Sequence, residues 1–408
     1  TSVTLASDSS NEFSGTLAAA IIGGPFTGID NILAGSGATD VLAGLNTTAS
    51  WQIDGTNTYT DTDTATVRSL GFANFDELVG GSLADIFEIS GLQSVSLDGR
   101  LGDDEFRFVT DDAAITGSAL GDIGNDILDF SAFSVGQTVT VALASEGFVS
   151  GFDGSVAQVM GVFTDIDVIR AGGSLTDSLT GIDAPAMWVI ADPGSYTANG
   201  KTVGFQDFEN LNGGSDVDTF DIEDGRFNLS GGDGDDRFDV ADGVTLTGSI
   251  DGGAGTMDRL SFALSTSSIA LSTSLVTNVE FIEGSTAGND TLLGTDGNDV
   301  FEITGANDGT INGAGFIDFA NLDGGLGNDS FQFTMDAGVL TGSILGGSGS
   351  DTLGFSGVTT NVMIALSGAG GVDGFNGTET GGKVNGFSNI NIVEGGAELI
   401  RVTDDGEG

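Results

Sequence analysis

The chain has 408 residues, of which 69 are Gly, and its 60 acidic and 10 basic residues leave a formal net charge of −50. Like charge repels nucleic acid and anionic membrane surfaces, so both are excluded as electrostatic partners. The absence of His and Cys removes the commonest general base, the usual transition-metal ligands and every disulfide. A hydrophobic content of 39% with 27 Phe is too high for a disordered acidic chain. The composition therefore predicts a folded protein with acidic, Gly-rich turns.

From the N-terminus, residues 1–25 are predicted to form a strand segment, and residues 26–408 to form one continuous body. The longest apolar stretch, TLAAAIIGG from Thr16, is far shorter than the roughly 18 residues that cross a bilayer. It is interpreted as buried strand. We expect no membrane insertion.

Self-comparison shows that one long unit recurs about three times, with approximate bounds 45–181, 182–294 and 295–408. One recurring element reads FANFDELVGGSLADIFEI from Phe72, FQDFENLNGGSDVDTFDI from Phe205 and FIDFANLDGGLGNDSFQF from Phe316. Other elements recur in the same order within each unit. The units are therefore copies of one structure.

The copies differ by a smaller unit. Phe87 recurs as Phe106 in the first copy, and Phe220 recurs as Phe238 in the second, but the third copy passes from Phe331 directly to the segment at Leu340. A protein that loses about 18 residues without disturbing its neighbours loses one layer of a stack, which is typical of a solenoid.

Short alternating runs such as IFEI, TFDI and SFQF, each bounded by Gly, Asp and Asn, predict strands of three to five residues and few helices. The fold class is predicted to be all-β, a parallel β-solenoid with about 18–22 residues per coil. The alternative is a series of β-sandwiches, one per long unit. Loss of a sandwich strand would disrupt its topology, so the missing layer favours the solenoid.

The turns follow the nine-residue pattern Gly-Gly-x-Gly-x-Asp-x-(large apolar)-x, which GGDGDDRFD from Gly231 matches throughout. Gly allows backbone carbonyls to turn inward, and the sixth-position Asp adds a carboxylate. Oxygen ligands without nitrogen or sulfur indicate a hard cation, Ca²⁺.

These turns resemble the RTX family, the calcium-binding nonapeptide repeats of bacterial exported proteins. The long units resemble repeats of very large bacterial surface and adhesin-type proteins. The RTX resemblance implies Ca²⁺ between turns one coil apart, held by sixth-position Asp side chains and backbone carbonyls. The positions that it implies as ligands are Asp85, Asp104, Asp126, Asp218, Asp236, Asp290, Asp299, Asp329 and Asp351.

Asp258 lies near this set, and Asp290 and Asp299 belong to two nonapeptides in direct tandem. Most copies stand alone, however, and some are degraded, such as GGSLADIFE from Gly80 and GGSLTDSLT from Gly172. There the alternative stays open that Asp only caps its own turn.

Two classes of function compete. The first is an extracellular structural or adhesive rod stabilised by calcium, in a bacterial surface layer, matrix filament or adhesin stalk. Its partners would be calcium, other copies of itself or surface glycans. The alternative is a β-solenoid polysaccharide lyase, hydrolase or epimerase. Such enzymes usually need clustered cationic groups or His, whereas this chain has no His and ten scattered cations. The sequence therefore favours a non-enzymatic protein at the cell surface or outside the cell.

Overall fold

A computed structural model describes residues 2–6, 13–18, 24–35, 39–61, 67–396 and 400–404. The described chain is all-β, as predicted, and its only helix is the single 3₁₀ turn Thr273–Leu275. No helix of this part is long enough to span a membrane. The chain divides into two compact units, residues 1–215 and 216–408.

The first unit contains strands β1 to β25, which are short because Gly, Asp and Asn turns interrupt the chain every few residues. Their bounds are β1 Ser2–Ala6, β2 Phe13–Ala18, β3 Gly24–Ile29, β4 Asn31–Leu33, β5 Val41–Ala43, β6 Ala49–Ile53, β7 Thr58–Asp61, β8 Arg68–Ala73, β9 Glu77–Val79, β10 Asp85–Ile89, β11 Leu92–Gln93, β12 Ser96–Asp98, β13 Glu105–Phe108, β14 Ala114–Ile115, β15 Ala119–Leu120, β16 Ile127–Asp129, β17 Thr140–Glu146, β18 Phe152–Val156, β19 Val159–Ile166, β20 Val168–Arg170, β21 Ser178–Thr180, β22 Ala186–Ile190, β23 Gly194–Ala198, β24 Lys201–Gln206 and β25 Asn210–Asn212.

The second unit contains strands β26 to β46 and the 3₁₀ turn. Their bounds are β26 Asp218–Ile222, β27 Asn228–Asp233, β28 Arg237–Val240, β29 Ile250–Ala254, β30 Arg259–Ser261, β31 Ala270–Ser272, β32 Val276–Thr277, β33 Phe281–Glu283, β34 Thr291–Leu293, β35 Val300–Gly305, β36 Asp308–Ile311, β37 Ala314–Ile317, β38 Asn321–Asp323, β39 Ser330–Phe333, β40 Leu340–Leu345, β41 Thr352–Gly354, β42 Val362–Ala369, β43 Phe375–Glu379, β44 Val384–Ile390, β45 Ile392–Glu394 and β46 Ile400–Asp404.

The sequence-repeat spacing recurs as parallel pairing between equivalent strands. In the first unit β10 pairs with β13 and β13 with β16, which places Phe106 between Phe87 and Leu128. In the second unit β26, β28 and β30 pair in the same way around Phe238. The separation of these partners along the chain is that of the predicted coil.

The period of one coil is not uniform along the described chain. Antiparallel three-strand meanders interrupt the parallel pairing, for example β6–β7–β8, β17–β18–β19 and β42–β43–β44. Where such a meander lies between them, parallel partners are farther apart along the chain, as for Phe301 with Phe331 and Leu340 with Val384. The meanders were not predicted, because their strands show the same alternating pattern as the parallel ones.

Each unit has two stacks of paired strands. In the first unit one stack begins with β3, β2 and β1 and ends with β21 and β25, so the predicted N-terminal segment 1–25 contributes strands to it; residues 1, 7–12 and 19–23 of that segment lie outside the described residues. In the second unit one stack runs without a break from β26 to β45.

The core between the strands is built from repeated apolar positions. Phe87 stacks on Phe106 with centroids 5.3 Å apart, and Phe301 stacks on Phe331 at 4.8 Å. Trp51 and Trp188, which the sequence assigned to the core, are fully buried. Parallel in-register pairing places identical residue types above one another, so one alternating pattern makes a continuous apolar column.

The third sequence repeat also has one paired strand fewer in the structure than the second repeat. Phe220 is separated from Leu260 by Phe238, whereas Phe331 pairs directly with Leu353. The neighbouring strands keep their register. Absence of this segment therefore removes one strand from the stack without changing the other partners.

Candidate metal-binding turns

We call a turn that carries a predicted ligand a Gly-Asp turn, and number its positions from the first Gly of the nonapeptide. All nine predicted aspartates are at most 1% exposed, although they are charged residues in Gly-rich turns. Each Asp starts a strand or immediately precedes one, and alternate side chains of that strand enter the core, which brings the Asp inward with them. Burial of a carboxylate without compensating partners is costly.

Within a column, one carboxylate oxygen of each later Asp holds the turn before it. Oδ1 of Asp104 accepts a hydrogen bond from the main-chain N–H of Asp85 at 2.7 Å, and Oδ1 of Asp126 accepts one from Asp104 at 2.9 Å. In the second unit Oδ1 of Asp236 binds the N–H of Asp218 in the same way. The aspartates of each predicted column therefore lie in successive turns that are linked by hydrogen bonds.

A third column, also in the second unit, runs through Asp299, Asp329 and Asp351. Oδ1 of Asp329 accepts the N–H of Asp299 at 2.8 Å, and Oδ1 of Asp351 accepts that of Asp329 at 2.9 Å. Asp290 does not join it, because its Oδ1 binds the N–H of Ile269 instead. The two tandem nonapeptides therefore belong to different columns.

Sequence reasoning left out several members of these columns. Asp258 accepts the N–H of Asp236 through Oδ1 at 2.7 Å, but an extra residue places it at the seventh position of its turn. Its distance along the chain from Asp236, equal to that between Asp104 and Asp126, was the available signal. Three columns end on an equivalent polar residue of the long repeat, namely Asp167, Glu280 and Asn391.

The fifth position of the turn holds the following turn. Oδ1 of Asp103 accepts the N–H of Asn125 at 2.9 Å, and Oδ1 of Asn328 accepts that of Ser350 at 2.8 Å. Positions five and six thus bind neighbours on opposite sides. This explains part of the Asp and Asn content without any metal.

The other carboxylate oxygen lies above the first Gly of the turn. A Cβ atom at Gly231 would lie 2.1 Å from Oδ2 of Asp236 and 2.4 Å from the carbonyl oxygen of Gly252. At Gly324 the corresponding distances are 2.3 Å to Oδ2 of Asp329 and 2.5 Å to the carbonyl oxygen of Gly346. Two acceptor oxygens therefore converge on a space that only Gly leaves open.

In three turns Oδ2 has donors from its own turn. It accepts the second-position N–H of Gly81 at 2.7 Å in the Asp85 turn, and of Thr295 at 2.7 Å in the Asp299 turn. In the Asp290 turn it accepts the N–H of Ser285 at 2.5 Å. We call these the self-capped turns, because their geometry matches the alternative that Asp only caps its turn.

In six turns Oδ2 is buried and has no hydrogen-bond partner within the described residues. We call these the open turns, and their aspartates are Asp104, Asp126, Asp236, Asp258, Asp329 and Asp351.

The second residue of every open turn has a positive φ, between 64° and 102°, whereas Gly81, Ser285 and Thr295 do not. This left-handed conformation is unfavourable for the two that are not Gly, Arg100 and Asp122. Where the second residue has a positive φ, its N–H does not bond to Oδ2 of the Asp. At Gly325 the N–H instead bonds to Oδ1 of the preceding Asp323 at 3.1 Å.

Burial disfavours the charged form of the open-turn carboxyls more than their main-chain hydrogen bond favours it, and it also raises the pKa of Asp85, in a self-capped turn, to about 7. It raises the pKa of Asp104 to about 8, of Asp126 and Asp329 to about 7, and of Asp236 to about 6. The pKa values of Asp258 and Asp351 are also raised by burial. Such a carboxyl is stabilised either by a proton or by a cation.

The oxygen atoms that the open turns could offer as metal ligands fit Ca²⁺. Carboxylate and carbonyl oxygens are its usual ligands, and each open turn offers an unpaired carboxylate oxygen. Nowhere in the described part of the chain do three or more acidic side chains come together as a metal-binding group. A cation would therefore be held by carboxylate and main-chain oxygens together.

Comparison with known protein families found no family model that matches this chain, and comparison with curated proteins found no similar sequence.

Proposed function

We propose that the chain winds as a parallel β-solenoid whose open turns bind Ca²⁺, and that it serves as an extracellular structural or adhesive rod at a bacterial surface. Six buried, unpaired carboxylate oxygens in equivalent turns carry the calcium proposal. The in-register parallel pairing and the layer missing from the third repeat support the winding.

Bound Ca²⁺ supplies the positive charge that the open turns lack. The residues that would hold it are Asp104, Asp126, Asp236, Asp258, Asp329 and Asp351, with carbonyl oxygens such as that of Gly346. Because the chain has 60 acidic and 10 basic residues, bound Ca²⁺ would also reduce the repulsion between its negative charges. Because binding requires the folded turns, its free energy adds to folding stability.

A rod of this kind suits a compartment with millimolar calcium, where its turns are saturated. The chain would then be stiff outside the cell and weakly ordered where calcium is scarce. This coupling supports the extracellular localisation, and repeated modules suit a stalk or filament.

Thermal unfolding tests the proposal. We expect the melting temperature at pH 8 to be at least 10 °C higher in 5 mM Ca²⁺ than in EDTA. Calcium bound only to the folded state stabilises it, and the contributions of several sites add. Mg²⁺ at the same concentration should have a smaller effect, because it demands stricter geometry and loses water reluctantly. Equal melting temperatures in Ca²⁺ and EDTA would contradict the calcium assignment.

Deletion of residues 221–238 tests the winding. This removes β27 and the layer containing Phe238, which the third repeat already lacks. We expect the circular dichroism spectrum of the variant to keep its β signal per residue. Loss of that signal would contradict an additive stack.

A further inference from the structure

The other stack of the second unit is interrupted. Within the described residues, β32 pairs only with β29, and β31 pairs only with β34. The first unit has β18 at the equivalent place, antiparallel to both β17 and β19. The third repeat has β43 there, between β42 and β44. The middle repeat therefore lacks one strand that its two relatives possess.

The sequence accounts for the missing strand. The stretch from Phe130 to Phe163 in the first repeat is nearly equal in length to the equivalent stretch from Phe355 to Phe387 in the third. In the middle repeat the corresponding stretch, from Phe262 to Val276, is less than half as long and includes the 3₁₀ turn. The absent part corresponds to 143–162, which forms the end of β17, all of β18 and the start of β19.

Two cavities lie at the interruption. One has a volume of about 350 Å³ and is lined by apolar residues, among them Leu246, Phe262, Leu271 and Leu275, and by several Ser and Thr residues. The other, of about 160 Å³, is lined by Val276 among others. Neither lining contains a charged residue, although the chain carries a net charge of −50. The gap is therefore lined by apolar side chains together with uncharged Ser and Thr residues.

Equivalent residues in the other repeats show what the gap lacks. Ile115 and Leu340 are 0% and 1% exposed, whereas the equivalent Leu246 is only half-buried. Phe163 and Phe387 are buried, whereas Val276 is half-buried. In the first and third repeats Ile115 pairs with Val159 of β19 and Leu340 with Val384 of β44, while β18 and β43 pair with Phe163 and Phe387. The equivalent apolar surface is left partly uncovered in the middle repeat.

We propose that this gap binds an extended peptide strand supplied by another protein chain, with the residue pattern Phe-(Asp/Asn)-Gly-(Ser/Thr) that β18 and β43 share. A strand that pairs on both sides satisfies the edges of β31 and β32 through main-chain hydrogen bonds and buries apolar surface. In the first and third repeats β18 and β43 occupy the equivalent place. They define the sequence of the proposed strand and its direction, which is antiparallel to β31 and β32.

The register follows from the filled repeats. In the first unit Val156 of β18 faces Val141, and Gly154 faces Phe163. The equivalents of Val141 and Phe163 in the gap are Leu271 and Val276. Gly is required opposite Phe163, because a Cβ at Gly154 would lie 2.4 Å from Cζ of that ring. By the same register, the bound strand should place its Gly opposite Val276 and the second residue after that Gly opposite Leu271.

The test uses the full chain and a fluorescent peptide of residues 150–158, SGFDGSVAQ. We expect saturable binding by fluorescence anisotropy. A matched peptide with Ser155→Pro lacks one main-chain N–H and should bind at least tenfold more weakly, because a middle strand uses its N–H groups on both sides. Equal binding of the two peptides would overturn the proposal.

A filled variant provides the second measurement. Replacing Thr273–Leu275 with residues 143–162 supplies the missing hairpin within the chain. We expect it to bind the peptide at least tenfold more weakly than the parent and to melt several degrees higher. Unchanged peptide binding would show that the peptide binds elsewhere and would overturn the proposal.

If no peptide binds but the parent forms a dimer that the filled variant does not, the gap takes a second copy of this chain and the proposed pattern is wrong. If the filled variant does not fold, the comparison between the two peptides still decides.

Discussion

The Asp299 and Asp329 turns are neighbours in one column, yet they treat the same carboxylate differently. In the Asp299 turn the N–H of Thr295 binds Oδ2, whereas in the Asp329 turn Gly325 has a φ of 88° and Oδ2 has no partner within the described residues. Both aspartates are 1% exposed. The handedness of one residue thus separates a turn that caps itself from one that leaves a buried oxygen for a cation.

The largest expected difference between these turns concerns their fourth-position Gly. Gly327 has a φ of 116°, and a Cβ there would lie 2.1 Å from the carbonyl oxygen of Gly297. A Cβ at Gly297 would meet nothing closer than Oγ1 of Thr295 at 3.3 Å. We expect Gly327→Ala to lower the free energy of unfolding by about 3 kcal/mol and Gly297→Ala by less than about 1 kcal/mol. Urea unfolding in Ca²⁺ measures both, and equal losses would contradict the difference in turn geometry.

Replacing the carboxylate with an amide should act in opposite directions in the two turns. Asp329→Asn removes a buried, unpaired charge and can direct an N–H₂ group toward the carbonyl oxygen of Gly346. In EDTA at pH 8 we therefore expect a gain of about 1 kcal/mol, and in Ca²⁺ a loss relative to the parent. Asp299→Asn loses an acceptor for Thr295 and should destabilise by about 1 kcal/mol in both conditions. Thermal melting of the two variants in both buffers measures these opposite effects. Destabilisation by Asp329→Asn in EDTA would contradict the prediction.

Without calcium, stability should fall as the pH rises from about 5 to 8. The pKa values of Asp104, Asp126, Asp236 and Asp329 lie between about 6 and 8 in the folded chain, above the ordinary Asp value of about 4. Between these values the folded state holds protons that the unfolded state has lost, so raising the pH favours unfolding. Aspartates with a lowered pKa, such as Asp336, act in the opposite sense only near and below their ordinary pKa.

Calcium should reverse this trend, because it binds the deprotonated carboxyls. Melting temperatures in EDTA and in Ca²⁺ across pH 5–8 measure both slopes. A rise in melting temperature with pH in EDTA would contradict the assignment of buried, unpaired carboxyls.

Much of the fold could be predicted from the sequence because in-register parallel pairing repeats one local pattern. The all-β class, the spacing of the parallel partners and the core positions of Trp51 and Trp188 follow from alternation and repeat length. The meanders did not follow, because a strand such as β18 has the same composition as a parallel strand. Its direction depends on its partners β17 and β19, which local sequence does not specify.

The columns of aspartates could be predicted from spacing, but the two kinds of turn could not. Gly81 and Gly325 are the same residue at the same position, yet only Gly325 has a positive φ. The nonapeptide pattern predicted nine ligands and left the capping alternative open for the degraded copy with Asp85, but it did not separate the Asp290 and Asp299 turns from the rest. Asp258 was left out because one extra residue shifts it from the sixth position, although the main-chain path returns it to the column.

The most direct test of the calcium assignment is the anomalous difference density of crystals grown in Ca²⁺. We expect peaks between Oδ2 of the open-turn aspartates and the adjacent carbonyl oxygens, for example between Asp329 and Gly346. We expect none beside Oδ2 of Asp85, Asp290 or Asp299, where main-chain N–H groups occupy that oxygen. Peaks at the self-capped turns as well as the open turns would contradict the distinction between the two kinds of turn, and peaks at none would contradict calcium binding.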